Sequence, residues 1–303
     1  RQALRAHAAG GARRSLLVMQ TGAGKTTCAA DLIQRAADRG RPSLFLAHRT
    51  ELIDQAIARL GLFGVVAGRV QGSHARAESL CQVASVQTLV RRELPPADLI
   101  IVDEAHISLS TSFRRIIDAY PLATIIGLTA TPIRLDGRGL GDLYDAMHIG
   151  PSVRDLIAAG VLCEADVWSH AGNPDLAGCA VSGGDFAAGS LFDKPQLVGD
   201  VIEHWQAKAE GRTTVCFASS IAHSRSLVAA WQAAGVSAAH IDGNTPSDER
   251  AGILAALRAG TLTVVSNYGV LTEGWDLPAC AVCVCARPTK SLGLWLQMCG
   301  RVL

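Results

Sequence analysis

Gly22, Gly24, Lys25 and Thr26 lie in the stretch Met19-Gln20-Thr21-Gly22-Ala23-Gly24-Lys25-Thr26, between the apolar run Leu16-Leu17-Val18 and a helix predicted over Thr27 to Asp38. Strand, glycine turn and helix is the local order that a phosphate-cradling loop needs. The two glycines let backbone amides converge on phosphate oxygens at a helix N-terminus, where the helix dipole also favours negative charge. The Lys25 ammonium would reach the β- and γ-phosphates and the Thr26 hydroxyl would ligate Mg²⁺. Thr21, Ala23 and Thr27 belong to the same cradle. One departure from the general pattern stands at Met19, where a glycine is usual.

A second chemical segment follows Leu99-Ile100-Ile101-Val102, a run that reads as a strand covered on both faces. Asp103 and Glu104 then fall at its carboxyl end, where open α/β sheets bind ligands. Adjacent side chains on a strand point to opposite sides, so the two carboxylates can take different work. Asp103 would hold Mg²⁺, directly or through water. Glu104 would orient and deprotonate an attacking water. A surface acidic pair ending a strand is the bland alternative, and the Lys25 loop argues against it.

The elements that must position these residues alternate. Strands are predicted at Leu16–Met19, Ser43–Ala47, Gln82–Ser85, Leu99–Asp103 and Thr124–Leu128, with helices at Thr27–Asp38, Thr50–Leu60, Val86–Glu93 and Thr111–Ala119. Such alternation argues for a doubly wound parallel sheet. A glycine-rich stretch follows, read as a linker over 151–194 with short elements of its own. Alternation then resumes, with helices at Pro195–Ala209, Ala222–Ala234, Ser247–Arg258 and from Ser291 on, and strands at Thr214–Phe217, Ala238–Ile241, Leu262–Ser266 and Ala281–Cys285. The expected division is 1–150, 151–194 and 195–303. The chain stops at Leu303 inside a predicted helix and reads as a partial sequence.

Composition narrows the classes. The 303 residues are 49% hydrophobic and carry a net charge of +1, which speaks for a large core and against a global basic field. Any polyanion must therefore be met by local groups. No apolar run approaches the ~18 residues of a membrane helix, and no secretory signal opens the chain. The nine cysteines are scattered. Cys280, Cys283, Cys285 and Cys299 invite a zinc reading, but Cys283 and Cys285 alternate along an apparent core strand, and one-residue spacing is not usual for ligands. Packing thiols are the preferred reading, and reduced thiols imply a cytoplasmic protein.

Further segments carry a resemblance. Ala47-His48-Arg49-Thr50-Glu51-Leu52-Ile53-Asp54-Gln55, Ala84-Ser85-Val86-Gln87-Thr88-Leu89, Asp103-Glu104-Ala105-His106 and Leu128-Thr129-Ala130-Thr131-Pro132 follow the Lys25 loop in order. His240-Ile241-Asp242-Gly243-Asn244-Thr245, Ser266 to Asp276, and Gln297-Met298-Cys299-Gly300-Arg301 occupy the second half. Together these resemble the motifs of superfamily 2 helicases of the DEAD/DEAH type over nearly the whole chain. After the Thr131-Pro132 turn, Ile133 to Asp142 resembles, more narrowly, bacterial RadD-like DNA-repair helicases and related phage proteins.

The resemblance implies two tandem RecA-like domains, each a mostly parallel sheet flanked by helices, with the nucleotide in the cleft between them. It implies ATP and Mg²⁺ as ligands and a nucleic-acid motor as function, with DNA preferred and RNA the alternative. Arg49, Gln87, Thr88 and Thr272 would meet the strand backbone. His106 would sit between nucleotide and the coupling residues Thr129 and Thr131. Asp276 would lie near ribose or the catalytic water. Gln297 and Arg301 would act at the γ-phosphate. Helix caps and turns are the plain alternatives for Gln87, Thr88, Thr129 and Thr131, and core packing is preferred to base stacking for Trp275. The family's second arginine would fall beyond Leu303. Two other activities stay open: the motor subunit of an ATP-dependent restriction system, and an ATP-gated nucleic-acid clamp with little turnover.

Overall fold

The computed structural model describes residues 11, 13–48, 50–74, 77–132, 139–169, 179–182, 185–186, 195–272 and 279–303. The chain forms two compact units, Arg1–Cys163 and Glu164–Leu303. Residues 151–163 therefore group with the first unit.

The first unit is built on β1 (Arg14–Val18), β2 (Ser43–Ala47), β3 (Ala67–Val70), β4 (Cys81–Ser85), β5 (Leu99–Val102), β6 (Thr124–Thr129) and β7 (Ala146–Ile149). All pairings are parallel, in the order β3-β4-β2-β5-β6-β1-β7. Its helices are α1 (Lys25–Ala37), α2 (Thr50–Leu62), α3 (Val86–Leu89), α4 (Thr111–Asp118) and α5 (Val153–Ala158). The central strands β2 and β5 are apolar from Leu44 to Ala47 and from Leu99 to Val102 because both faces of the sheet are covered there. Phe45, Val83, Ile101 and Ile126 pack with Ala29, Ala30 and Ile33 of α1 and Leu52, Ile53 and Leu60 of α2. Leu44, Leu46, Ile100 and Val102 pack on the other face with Phe113, Ile116 and Ile117 of α4. Each such side chain, fully buried, contributes roughly 1.5–3 kcal/mol. In α1 the buried residues Ala29, Ala30, Ile33 and Ala36 form one stripe at helical spacing, and just past the helix Gly40, φ +67°, closes a turn back to Ala37.

The second unit repeats the plan with four parallel strands ordered β11-β12-β10-β13: β10 (Thr214–Ala218), β11 (Ala238–Ile241), β12 (Val264–Asn267) and β13 (Val282–Ala286). Its helices are α6 (Pro195–Ala209), α7 (Ile221–Ala233), α8 (Ser247–Arg258) and α9 (Leu292–Cys299). A short antiparallel pair, β8 (Val181–Ser182) and β9 (Asp185–Phe186), precedes them. Cys216 and Ala218 face α6 and α7, where Trp205 and Trp231 meet edge to face at 6.1 Å. Val215 and Phe217 face Leu257 of α8 and Met298 of α9.

Three expectations are revised. β3 and β7 were not anticipated: Ala67-Gly68-Arg69-Val70 lacks an apolar run, and β7 is an edge strand with Met147 and Ile149 exposed. The helix predicted over Val86–Glu93 closes at Leu89, where Arg91 and Arg92 amides bond back to Thr88 and Leu89 in a turn. The Cys283/Cys285 strand is less buried than a core strand, with Cys285 exposed, since β13 is the last strand of its sheet. Among the described residues no cluster of His, Cys, Asp and Glu is arranged for a metal, and no helix is long and apolar enough to cross a membrane.

Candidate nucleotide site

Parallel strands send every strand-to-helix loop to one rim of the sheet. That rim of the first unit collects the loops after β1, β2, β4, β5 and β6, which hold the candidate residues.

The loop after β1 is shaped by two left-handed glycines, Gly22 at φ +79° and Gly24 at φ +84°, the latter capping α1. A tight turn from the Ala23 amide to the Gln20 carbonyl, 3.1 Å, sets its curve. Lys25, Thr26 and Thr27 open the helix, so their amides and the helix dipole face the loop. Lys25 Nζ donates to the Met19 carbonyl at 3.2 Å. The Met19 amide in turn donates to the Thr129 carbonyl at 2.9 Å, joining this loop to the end of β6.

Asp103 is fixed by its amide, which donates to Leu46 O of β2 at 3.0 Å, and its Oδ1 accepts from the Glu104 amide at 3.0 Å. It is buried. Burial pushes its carboxyl up to about 7; the neighbouring Glu104 charge pushes the same way, while Lys25, the Glu104 amide and His48 pull back. Glu104 adopts φ +48°, ψ +55°, a left-handed conformation that costs a non-glycine residue about 1–2 kcal/mol. Such local strain gathers at functional sites. His106, buried in the short turn of helix Ala105–Ile107, brings Nδ1 to 3.5 Å from Glu104 Oε2. Behind it, the Tyr144 hydroxyl donates to Ser108 Oγ at 3.2 Å.

The loop after β4 knits its neighbours together. Ser85 Oγ donates to Gln87 Oε1 at 2.8 Å, and Gln87 Nε2 donates to the His48 carbonyl at 3.1 Å. Thr88 Oγ1 accepts from the Gly72 amide at 3.0 Å. Gln87 remains exposed and Thr88 half-buried. Thr129 Oγ1 donates to the Thr131 carbonyl at 2.7 Å and accepts the Thr131 amide at 3.1 Å, so that its hydroxyl closes a turn.

In the second unit Gln297 is buried on α9. Arg301, just past that helix, donates from its guanidinium to the Thr272 carbonyl. The segments that carry Thr272 and Arg301 therefore touch. Arg49 and Asp276 lie outside the described residues, as do Trp275 and most of the Ile133–Asp142 segment. Tyr144 and Leu162, which lies against Gly22, were missed in the sequence because each comes from outside the quoted segments, and His48 was passed over beside Arg49 although its charge bears on Asp103.

Residues 1–134 match the family "Type III restriction enzyme, res subunit", and residues 193–303 match "Helicase conserved C-terminal domain". A "51.5 kDa protein" of a Lactococcus phage is 32% identical over 92% of this chain and 60% of its own. "Putative ATP-dependent helicase IRC3" of Saccharomyces cerevisiae is 30% identical over 97% of this chain and 46% of its own. The chain belongs to the superfamily 2 helicases. The helicase chain thus spans about half the length of these relatives. A solved structure of the ATP-dependent Type ISP restriction-modification enzyme LlaBIII bound to DNA matches with TM-score 0.70 at 15% identity, covering 99% of this chain and 26% of that one. That likeness shows the helicase fold, two RecA-like α/β domains.

Proposed function

We propose that this chain is the motor core of an ATP-dependent helicase or translocase acting on DNA. The observation that carries the reading is Asp103: a buried carboxylate at the sheet rim, held back from ionisation by its surroundings and favoured toward it by the Lys25 ammonium. A divalent cation supplies the compensation that burial removes. Asp103 and the Thr26 hydroxyl offer the oxygen donors that Mg²⁺ takes alongside phosphate oxygens, so these residues fit the ion. When bound, Mg²⁺ neutralises charge on the β- and γ-phosphates.

On this reading the amides from Thr21 to Thr27 orient the phosphates and Lys25 offers its ammonium to them. Glu104 takes the proton of the attacking water, with His106 beside it and Asp276 near ribose or that water. Gln297 and Arg301 act on the γ-phosphate, where an arginine is worth roughly 10³–10⁵ in rate. Thr129 and Thr131 relay nucleotide state through the loop joined to Met19. Arg49, Gln87, Thr88 and Thr272 contact phosphodiester backbone, which makes binding sequence-tolerant and salt-sensitive. The restriction-subunit family over residues 1–134 supports DNA and favours a second reading, the motor of a restriction system. A reducing, cytoplasmic compartment, the reading drawn from scattered packing thiols, is part of the same proposal.

The test is ATP turnover with Mg²⁺, with and without single-stranded DNA, duplex DNA and RNA, for the wild type and Lys25→Ala. Stimulation by DNA that Lys25→Ala abolishes is expected. Stronger stimulation by RNA reassigns the partner, and turnover in Lys25→Ala equal to wild type removes the site.

A further inference from the structure

The side chain that packs on the phosphate loop comes from none of the segments that carry chemistry. After β7, Ser152 caps α5 with a reciprocal capping box to Asp155, and the chain turns back at Gly160, φ +68°. Val161 and Leu162 amides both donate to the Leu156 carbonyl, at 2.8 and 3.2 Å. This turn sets Leu162, only 6% exposed, against Gly22, where an added Cβ would lie 2.7 Å from Leu162 Cδ2. The start of the segment is fastened to the same loop. The Gly150 amide donates to the Val18 carbonyl at 2.8 Å, and a Cβ at Gly150 would lie 2.8 Å from Met19 Cγ. The first compact unit ends one residue after Leu162, at Cys163.

We infer that Leu162 is a positioning residue, coupling the phosphate loop to the segment by which the chain leaves the first unit. The inference rests on the nucleotide reading above. Phosphate gathered by the amides around Gly22 and the methyl groups of Leu162 bear on the same few backbone atoms from different directions. Each therefore biases the other: a loop drawn onto phosphate holds Leu162 in its seat, and loss of Leu162 leaves the loop less often in its binding shape. Such coupling is reciprocal by thermodynamic necessity.

The experiment titrates a fluorescent, non-hydrolysable ATP analogue with Mg²⁺ into the chain as wild type, Leu162→Ala, Leu162→Met and Leu60→Ala. If truncation leaves the loop correctly placed about one time in ten, apparent affinity falls about tenfold, equivalent to ~1.4 kcal/mol. Leu162→Met, which keeps the volume, is expected within about twofold of wild type. Leu60, 2% exposed on α2, is a core truncation away from Gly22, whose added Cβ would meet Leu162, and is expected to leave affinity unchanged. In parallel, hydrogen exchange at the Val161 and Leu162 amides should slow when the analogue is added to wild type, and should not in Leu162→Ala. Wild-type affinity in Leu162→Ala, an equal loss in Leu60→Ala, or exchange indifferent to the analogue overturns the inference. A wild-type chain that binds no analogue overturns the nucleotide reading itself, so the two failures are told apart.

Discussion

Replacing Gly22 with alanine strains the phosphate loop in two separable ways. At φ +79° an L-residue sits in the left-handed region, a penalty of about 1–2 kcal/mol. The new methyl also lands 2.7 Å from Leu162 Cδ2, and overpacking of this kind costs about 1–3 kcal/mol. The sum is roughly 2–5 kcal/mol. Gly40→Ala is the control, because φ is +67° there and nothing lies within 4 Å of an added Cβ, leaving the backbone penalty alone. Urea unfolding followed by far-ultraviolet circular dichroism should place Gly22→Ala about 1–3 kcal/mol below Gly40→Ala. Combining Gly22→Ala with Leu162→Ala should cost less than the two singles added, since the truncation makes room for the methyl. Equal destabilisation by the two glycine variants, or strict additivity in the double variant, would refute the packing account of this loop.

Other expectations follow from the same geometry. Glu104→Gln should lower ATP turnover about 10²–10⁴-fold, the span of general-base catalysis, while analogue affinity stays near wild type; turnover within threefold of wild type would take Glu104 out of its role. Asp103 has its folded pKa raised to about 7, above the ~3.9 of an unfolded aspartate, so native stability is lost as pH climbs between those values. In metal-free buffer Asp103→Asn should therefore gain on wild type from about pH 4 to pH 7 and hold a constant lead above; urea midpoints that do not diverge over that window contradict the sign. Trp231 is fully buried and meets Trp205 edge to face, so Trp231→Ala should cost roughly 3–5 kcal/mol, read as a lower melting point by far-ultraviolet circular dichroism. An unchanged melting point would mean that this cluster does not hold the second unit.

Legibility in the sequence followed coverage. β2 and β5 could be read to within a residue because Leu44 to Ala47 and Ile100 to Val102 are buried on both sides of the sheet, which forces unbroken apolar runs. β3 and β7 could not, because strands at the sheet's two ends need no such run. Lys25, Asp103 and Glu104 were visible because glycine turns and strand ends announce themselves locally. Leu162 was not: a leucine near a turn looks like any core residue, and its contact with Gly22 depends on the path of β7 and α5. A turn stood among the sequence readings of Thr129 but could not be preferred there, since a hydroxyl's partner depends on backbone angles that residue type does not dictate.

Uniform strand direction within each main sheet also fixes where nothing chemical happens. The helix-to-strand turns at Gly40 in the first unit and Gly260 in the second have open space around them and lie at the ends of their sheets away from the catalytic candidates. A cysteine-directed dye could not be aimed there in the native chain, but an unnatural amino acid accepting a click label could. A fluorophore on either turn would report on its own unit while leaving the candidate site residues untouched.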